Sequence, residues 1–184
     1  MWKMILSFLK IILIVAVILV ITISIILLLL SMQPFVPNNY TQTVKTGGEL
    51  EAKYLAMGAS QVEHMEVFTE EEWGNINVYY PKELTESAKS YPVVVMVNGT
   101  GVYSSKYPAL FKHLASWGFI VIGNEDPSTC SGSSADTTLA WLLNENEDPD
   151  SRFYQKVDAG THRNFRSLTG RRGRVQRYQR TAAR

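Results

Sequence analysis

Asn98-Gly99-Thr100-Gly101 follows at once on the apolar run Val93 to Val97. Glycines in such a turn let bare backbone N–H groups approach a bound group, because no side chain stands in the way. Taken alone, the turn also reads as an ordinary strand-to-helix link. Asn98-Gly99-Thr100 spells a glycosylation sequon as well, read as coincidence at a strand end. Asp126 and Cys130 come after the next apolar run, at the edge where α/β sheets place their ligands. Gly58-Ala59-Ser60-Gln61-Val62 approaches the nucleophile motif G-x-S-x-G but lacks its last glycine. Of the histidines, His64 and His113 read as surface residues, and His162 lies near the C-terminal end. The single cysteine excludes an internal disulfide framework and a cysteine-rich zinc site.

The elements that must position these residues follow a recognisable order. In "WGNINVYYPKEL", Ile76, Val78 and Tyr80 alternate with Asn77 and Tyr79, which predicts a strand with one buried face, ended by Pro81. "YPVVVMVNGTG" carries a run apolar on both faces, the mark of a central parallel strand covered by helices. "SSKYPALFKHLASWGF" spaces Tyr107, Leu110, Phe111, Leu114 and Trp117 as one helix face, with Ser104 or Ser105 as cap and Gly118 as stop. "FIVIGNED" is a second doubly apolar strand, and "SADTTLAWLLNENEDPDS" starts a helix with Leu139, Leu142 and Leu143 facing inward. Strand, strand, helix, strand, helix is the doubly wound α/β pattern. The stretch from Glu49 to Phe68 has scattered apolar positions and no clear period.

The N-terminal stretch has a different character. "IILIVAVILVITISIILLLL", residues 11–30, carries no charge, and twenty helical residues rise about 30 Å, the thickness of a bilayer's hydrocarbon core. Lys3 and Lys10 precede it and no basic residue follows before Lys45, so the positive-inside bias puts the N-terminus in the cytoplasm and the rest outside. A cleaved signal peptide is the rival reading. Its apolar region is usually about 7–15 residues and ends in small residues, whereas "LLLSMQPF" offers neither. Residues 1–31 are therefore read as an anchor that contacts membrane lipid through 11–30. The proline-containing stretch 32–48 is read as a linker.

The residues from the "YYP" strand through "YPVVV", the small-residue turn, the helix ending "LASWGF" and the strand "IVI" resemble the α/β-hydrolase superfamily. They are closest to its dienelactone-hydrolase, chlorophyllase and polyester-hydrolase (cutinase-like) branch. The resemblance covers about Tyr54 to Asp158. It implies carboxylic-ester hydrolysis by a serine nucleophile through an acyl-enzyme, with no cofactor and no metal. It further implies that Asn98, Gly99, Thr100 and Gly101 form the oxyanion loop, with the Thr100 backbone N–H as donor to the tetrahedral intermediate. In that family the nucleophile elbow follows the next strand, and an Asp and a His come later. No G-x-S-x-G occurs in the chain, and the expected acid and base do not follow.

In place of that elbow stands "THRNFRSLTGRRGRVQRYQRTAAR", residues 161–184, which holds eight of the nine arginines and no acidic residue. Without those eight arginines the formal charge of residues 1–160 is 10 − 17 = −7, against +1 for the whole. A basic arm for an anionic surface or nucleic acid would mix Lys with Arg and interleave aromatics, and this stretch has no Lys. Read one base out of frame, its degenerate codons can encode His-Ile-Gly-Ile-Ser-Gly-His-Ser-Gln-Gly-Gly-Val-Gly-Ala. That is an apolar strand entering a nucleophile elbow, in register with the missing element. The tail is accordingly read as a frameshift product and nucleic acid is excluded as a partner.

The expectation is an N-terminal part of an α/β-hydrolase sheet (49–160), preceded by a single transmembrane helix, extracytoplasmic and without a triad. Lacking its remaining strands, such a sheet would expose a long apolar edge and be unstable or aggregate. A membrane-anchored binding module and a basic-tailed adaptor for anionic surfaces stay open as alternatives.

Overall fold

The computed structural model describes residues 2–158 and, for the backbone, 163–166. The chain divides after Pro34 into two compact units.

The first unit contains helix α1, Trp2–Ser31. Its stretch Ile5–Ser31, 27 residues, is long and apolar enough to cross a membrane by length and composition, a property that secretory signals share. Thr22 and Ser24 satisfy their hydroxyls within the helix, donating to the carbonyls of Ile18 and Val20 at 2.8 Å each.

The second unit starts with two short helices, α2 (Tyr40–Thr43) and α3 (Glu49–Leu55). Then come β1 (Val62–Phe68), β2 (Asn75–Pro81), β3 (Val93–Val97), α4 (Pro108–Ser116), β4 (Ile120–Asn124), α5 (Ser133–Glu147) and β5 (Arg163–Arg166). The sheet order is β1-β2-β4-β3-β5. β1 and β2 pair antiparallel, as do β2 and β4, while β4, β3 and β5 run parallel. The family-like part is thus a mixed α/β sheet, consistent with a partial α/β-hydrolase.

The alternation along each strand splits the core in two. Val93, Val95, Ile120 and Ile122 join Leu142 and Phe153 on one side of the sheet; Val94, Met96 and Val121 join Phe111 and Ala115 of α4 on the other. This is why Val93 to Val97 and Ile120 to Ile122 are apolar at every position. β2 departs from the expected one-sided strand, since every position from Ile76 to Pro81 is buried. Tyr79 supplies the second face, packing edge-on against Phe111 with ring centres 5.3 Å apart. β1, where no period was legible, is an edge strand whose positions are half-buried or exposed, so apolar residues were not demanded there.

The helix after β3 begins later than expected. Pro108 opens α4, and neither Ser104 nor Ser105 caps it; both lie in a preceding 3-10 turn and bond elsewhere. Gly118 does adopt φ +91, the left-handed conformation that stops the helix. Gly123 in β4 is required by packing: a Cβ there would stand 2.7 Å from Phe111 Cζ and 2.9 Å from Ser104 Cβ.

The stretch 32–48, read as a linker, includes residues that dock on the domain. The N–H of Phe35 donates to the Lys106 carbonyl at 2.9 Å, and the Phe35 ring meets Tyr107 edge-on at 5.9 Å.

Candidate functional site

β3 and β4 run parallel and end at Val97 and Asn124, so the segments that follow both leave the same edge of the sheet. That edge is where ligands bind in open α/β sheets. It brings together the turn 98–101 and the loop 125–132.

The turn is held from below by Asn98, which is 4% exposed. Its amide Nδ2 donates to the carbonyls of Asn124 at 2.6 Å and Asp126 at 3.2 Å. Its own carbonyl accepts the Thr129 hydroxyl. The glycan-accepting atom of the sequon is therefore buried and engaged. Above it, the Val102 N–H donates to the Gly99 carbonyl at 3.1 Å, and Gly101 has φ +74. This is the geometry of a type II turn, which requires a residue without Cβ strain at its third position. Gly101 donates its N–H to the Pro127 carbonyl at 2.8 Å, which pins the turn to the neighbouring loop. Thr100 stands exposed at the tip. Of the expected loop, then, Asn98 is a brace, the Gly101 amide serves as a tie, and Thr100 faces outward.

At the same edge lies a polar cluster that sequence reading did not find. Glu125 Oε1 accepts from Asn77 Nδ2 at 2.8 Å, Ser104 Oγ at 2.7 Å and the Ser105 N–H at 2.9 Å; Oε2 accepts from Ser105 Oγ at 2.7 Å. Asn77 Nδ2 also donates to Ser104 Oγ at 2.9 Å, and Asn77 Oδ1 pairs with His64 Nε2 at 3.1 Å. Asn77 and Ser104 are 4% and 2% exposed, so the carboxylate compensates donors that water does not reach. Asn124 is held apart from this cluster, on the α5 side of the sheet, donating from Nδ2 to Thr138 Oγ1 at 2.8 Å. The available signal was Asn77, a polar residue between the apolar Ile76 and Val78 of β2.

The other candidates fall elsewhere. Ser60 precedes β1, and the register Val62↔Pro81 and Tyr79↔Val121 puts it at the sheet edge opposite the turn. There it lines a depression of about 370 Å³ with Gln61, Lys82 and Glu83, and its hydroxyl donates to Glu83. Asp126 closes a local turn, its Oδ1 accepting the Ser128 N–H at 2.7 Å. The Cys130 side chain, His162 and residues 167–184 lie outside the described residues. His64 is exposed and stacks on Tyr79 at 4.1 Å. His113 is not the surface residue expected: it is buried at 8% exposure, and its Nδ1 pairs with the Tyr40 hydroxyl. Among the described residues the two imidazole rings pair with Asn77 and Tyr40 and not with a serine hydroxyl; Ser116 Oγ donates to the main-chain carbonyl of His113, at 2.6 Å.

Among the described residues, no group of three His, Cys, Asp or Glu side chains is placed to hold a metal. Two buried polar atoms there lack a hydrogen-bond partner, Asn98 Oδ1 and Ser134 Oγ. The shifted ionisations belong to the packing. Burial raises Tyr40; burial and then the Glu66 charge raise Tyr79. Tyr80 is raised by burial despite the opposing Arg152 guanidinium, which donates to its hydroxyl at 2.5 Å.

The family model described as Chlorophyllase matches residues 51–138, a span from α3 into α5 that includes the turn and the polar cluster. That family belongs to the α/β-hydrolase superfamily, and its activity class is ester hydrolysis. No curated protein matches the chain.

Proposed function

We propose that the chain is the membrane-tethered N-terminal portion of a serine ester hydrolase, and that it lacks turnover as it stands. Residues 1–31 anchor it with the N-terminus in the cytoplasm, residues 49–160 form the extracytoplasmic part of the hydrolase sheet, and the tail from residue 161 is read out of frame. The observation that carries this reading is the turn 98–101 at the carboxyl end of β3, in a sheet of order β1-β2-β4-β3-β5 and within the span matching an ester-hydrolase family. A tetrahedral ester intermediate bears a negative oxygen, and a braced turn presents a backbone N–H without reorganisation during the reaction. Thr100 is that donor in this reading, and the elbow would supply nucleophile and second donor. The backbone of 163–166 pairs with β3 in parallel, Val94↔Arg163 to Val97↔Arg166, which supports the tail's occupying the lane of an elbow strand.

The gene, read past codon 160 in all frames and repaired by one base, tests this. The repaired protein is expected to contain Gly-His-Ser-Gln-Gly-Gly and to hydrolyse a short-chain p-nitrophenyl ester, with the unrepaired chain at background. Thr100 occupies the second position of a type II turn, where proline is favoured, so Thr100→Pro removes the N–H while suiting the turn. It should lower turnover of the repaired enzyme by about 10²–10³. The absence of an elbow in every frame would refute the frameshift; indifference to Thr100→Pro would refute the donor assignment alone. For the anchor, a tag after Ser31 should be reachable by external protease on intact cells, and no soluble form should be released.

A further inference from the structure

We propose that Asn98 is a deamidation site which the fold keeps closed, and that its product prevents the turn 98–101 from re-forming. Asn98-Gly99 is the chain's single asparagine–glycine pair. In such a pair the following residue carries no Cβ, so its backbone nitrogen reaches the asparagine side chain with little hindrance. The Gly99 nitrogen loses its proton and bonds to Asn98 Cγ, the bond from Cγ to Nδ2 breaks, and ammonia departs. Water then opens the cyclic imide at either carbonyl, which gives aspartate or isoaspartate. The reaction consumes one water and releases one ammonia, and needs no oxidant or cofactor.

The folded turn opposes each step. Asn98 is 4% exposed, and its Nδ2 donates to the carbonyls of Asn124 at 2.6 Å and Asp126 at 3.2 Å. Both partners only accept, so the amide can face one way. These bonds hold the side chain toward the end of β4 and hold the nitrogen that must leave. Attack at Cγ would put negative charge on Oδ1. That atom is buried and has no donor among the described residues, so the tetrahedral intermediate gains no stabilisation there. The Asn98 carbonyl accepts the Thr129 hydroxyl, and the Gly101 N–H donates to the Pro127 carbonyl at 2.8 Å, which ties the backbone on both sides of Gly99. Reaction therefore requires the turn to open, and its rate reads the opened fraction. The product cannot return to the same place. A carboxylate at position 98 would set acceptor oxygens against the two carbonyls that Nδ2 now serves, in a site closed to water. The isoaspartyl form adds a methylene to the backbone of the turn.

The test follows Asn98 in the full chain, in detergent at mildly alkaline pH, by peptide mapping that separates asparagine, aspartate and isoaspartate. A free peptide of residues 97–102 in the same buffer gives the unprotected rate. The chain should deamidate at Asn98 at least about tenfold more slowly than the peptide. Equal rates overturn the proposal. Thr129→Val removes one clasp of the turn and should react about fivefold faster than the unsubstituted chain. An unchanged rate overturns the assignment of the protection to the turn. A second measurement needs no variant. Chain partly deamidated in urea is returned to buffer and given a brief protease pulse. Unmodified chains should survive and modified ones should be cut. Equal survival of the two, high or low, overturns the claim that the product keeps the turn from re-forming.

Discussion

Two ends of one sheet each set a serine against a glutamate, with different consequences. At the amino ends of β3 and β4, Ser60 donates to Glu83 beside an open depression. At the carboxyl ends, Ser104 and Ser105 meet Glu125, whose carboxylate also receives Asn77. The first pair exchanges water for a hydrogen bond of similar quality. The second removes buried donors from any competition with water, and so ties the Ser104–Ser105 segment to β2 and to the end of β4. Position on the sheet, not the residue pair, decides which serine joins a buried network.

Truncating the two glutamates should separate these cases most widely. Glu125→Ala leaves the buried Ser104 hydroxyl without its acceptor, and Asn77 Nδ2 with Ser104 Oγ as its remaining partner, and should cost about 1.5–3 kcal/mol, measured by urea unfolding of the full chain in detergent. Glu83→Ala is a surface change expected within about 0.5 kcal/mol. Equal losses would abolish the distinction between the two ends.

Thr129→Val tests the brace one layer up. It keeps the volume but removes the hydroxyl that donates to the Asn98 carbonyl, and should cost about 1 kcal/mol. In a frame-repaired enzyme it should also lower turnover, because the turn loses a support; a stability loss with unchanged turnover would separate the brace from the chemistry.

Alkaline pH acts on the packing around β2 and on the Tyr40 contact with α4, away from the turn. Tyr40, Tyr79 and Tyr80 hold their protons above the ordinary tyrosine value of 10.0 when folded. The unfolded chain ionises first, so stability is full below that value and falls as pH rises through it. Tyr79→Phe should reduce the fall, followed as the urea midpoint against pH; an unchanged profile would clear Tyr79 of the effect.

The smallest effect is expected from Ser60→Ala. It should change stability by no more than about 0.5 kcal/mol and leave turnover of a repaired enzyme untouched. Loss of turnover would move the active edge to the other end of the sheet.

Much of this was legible in the chain. The runs Val93–Val97 and Ile120–Asn124 announced central strands, and the structure explains them by two cores, one on each face. The glycine stop at Gly118 and the turn at 98–101 were equally local, whereas of the expected α4 face only Phe111 is fully buried and Trp117 is exposed. Three readings needed the third dimension. Ser104 and Ser105 looked like helix caps because both precede a helical period, but Glu125 claims their hydroxyls. His113 looked exposed because histidine usually is, but the segment before α3 covers it with Tyr40. Tyr79 looked like an outward position until α4 supplied a second core.

The sequence by itself determined the apolar N-terminal helix, the alternating and doubly apolar strands and the glycine turn. Each is a property of neighbouring residues, through composition, period and backbone freedom. The tertiary structure alone decided which polar residues meet. Asn77 reaches Ser104 across 27 positions and Glu125 across 48, and Ser60 is excluded from that edge. Those meetings depend on strand order and register, where slipping one residue turns every side chain to the other face. No local signal carries that information.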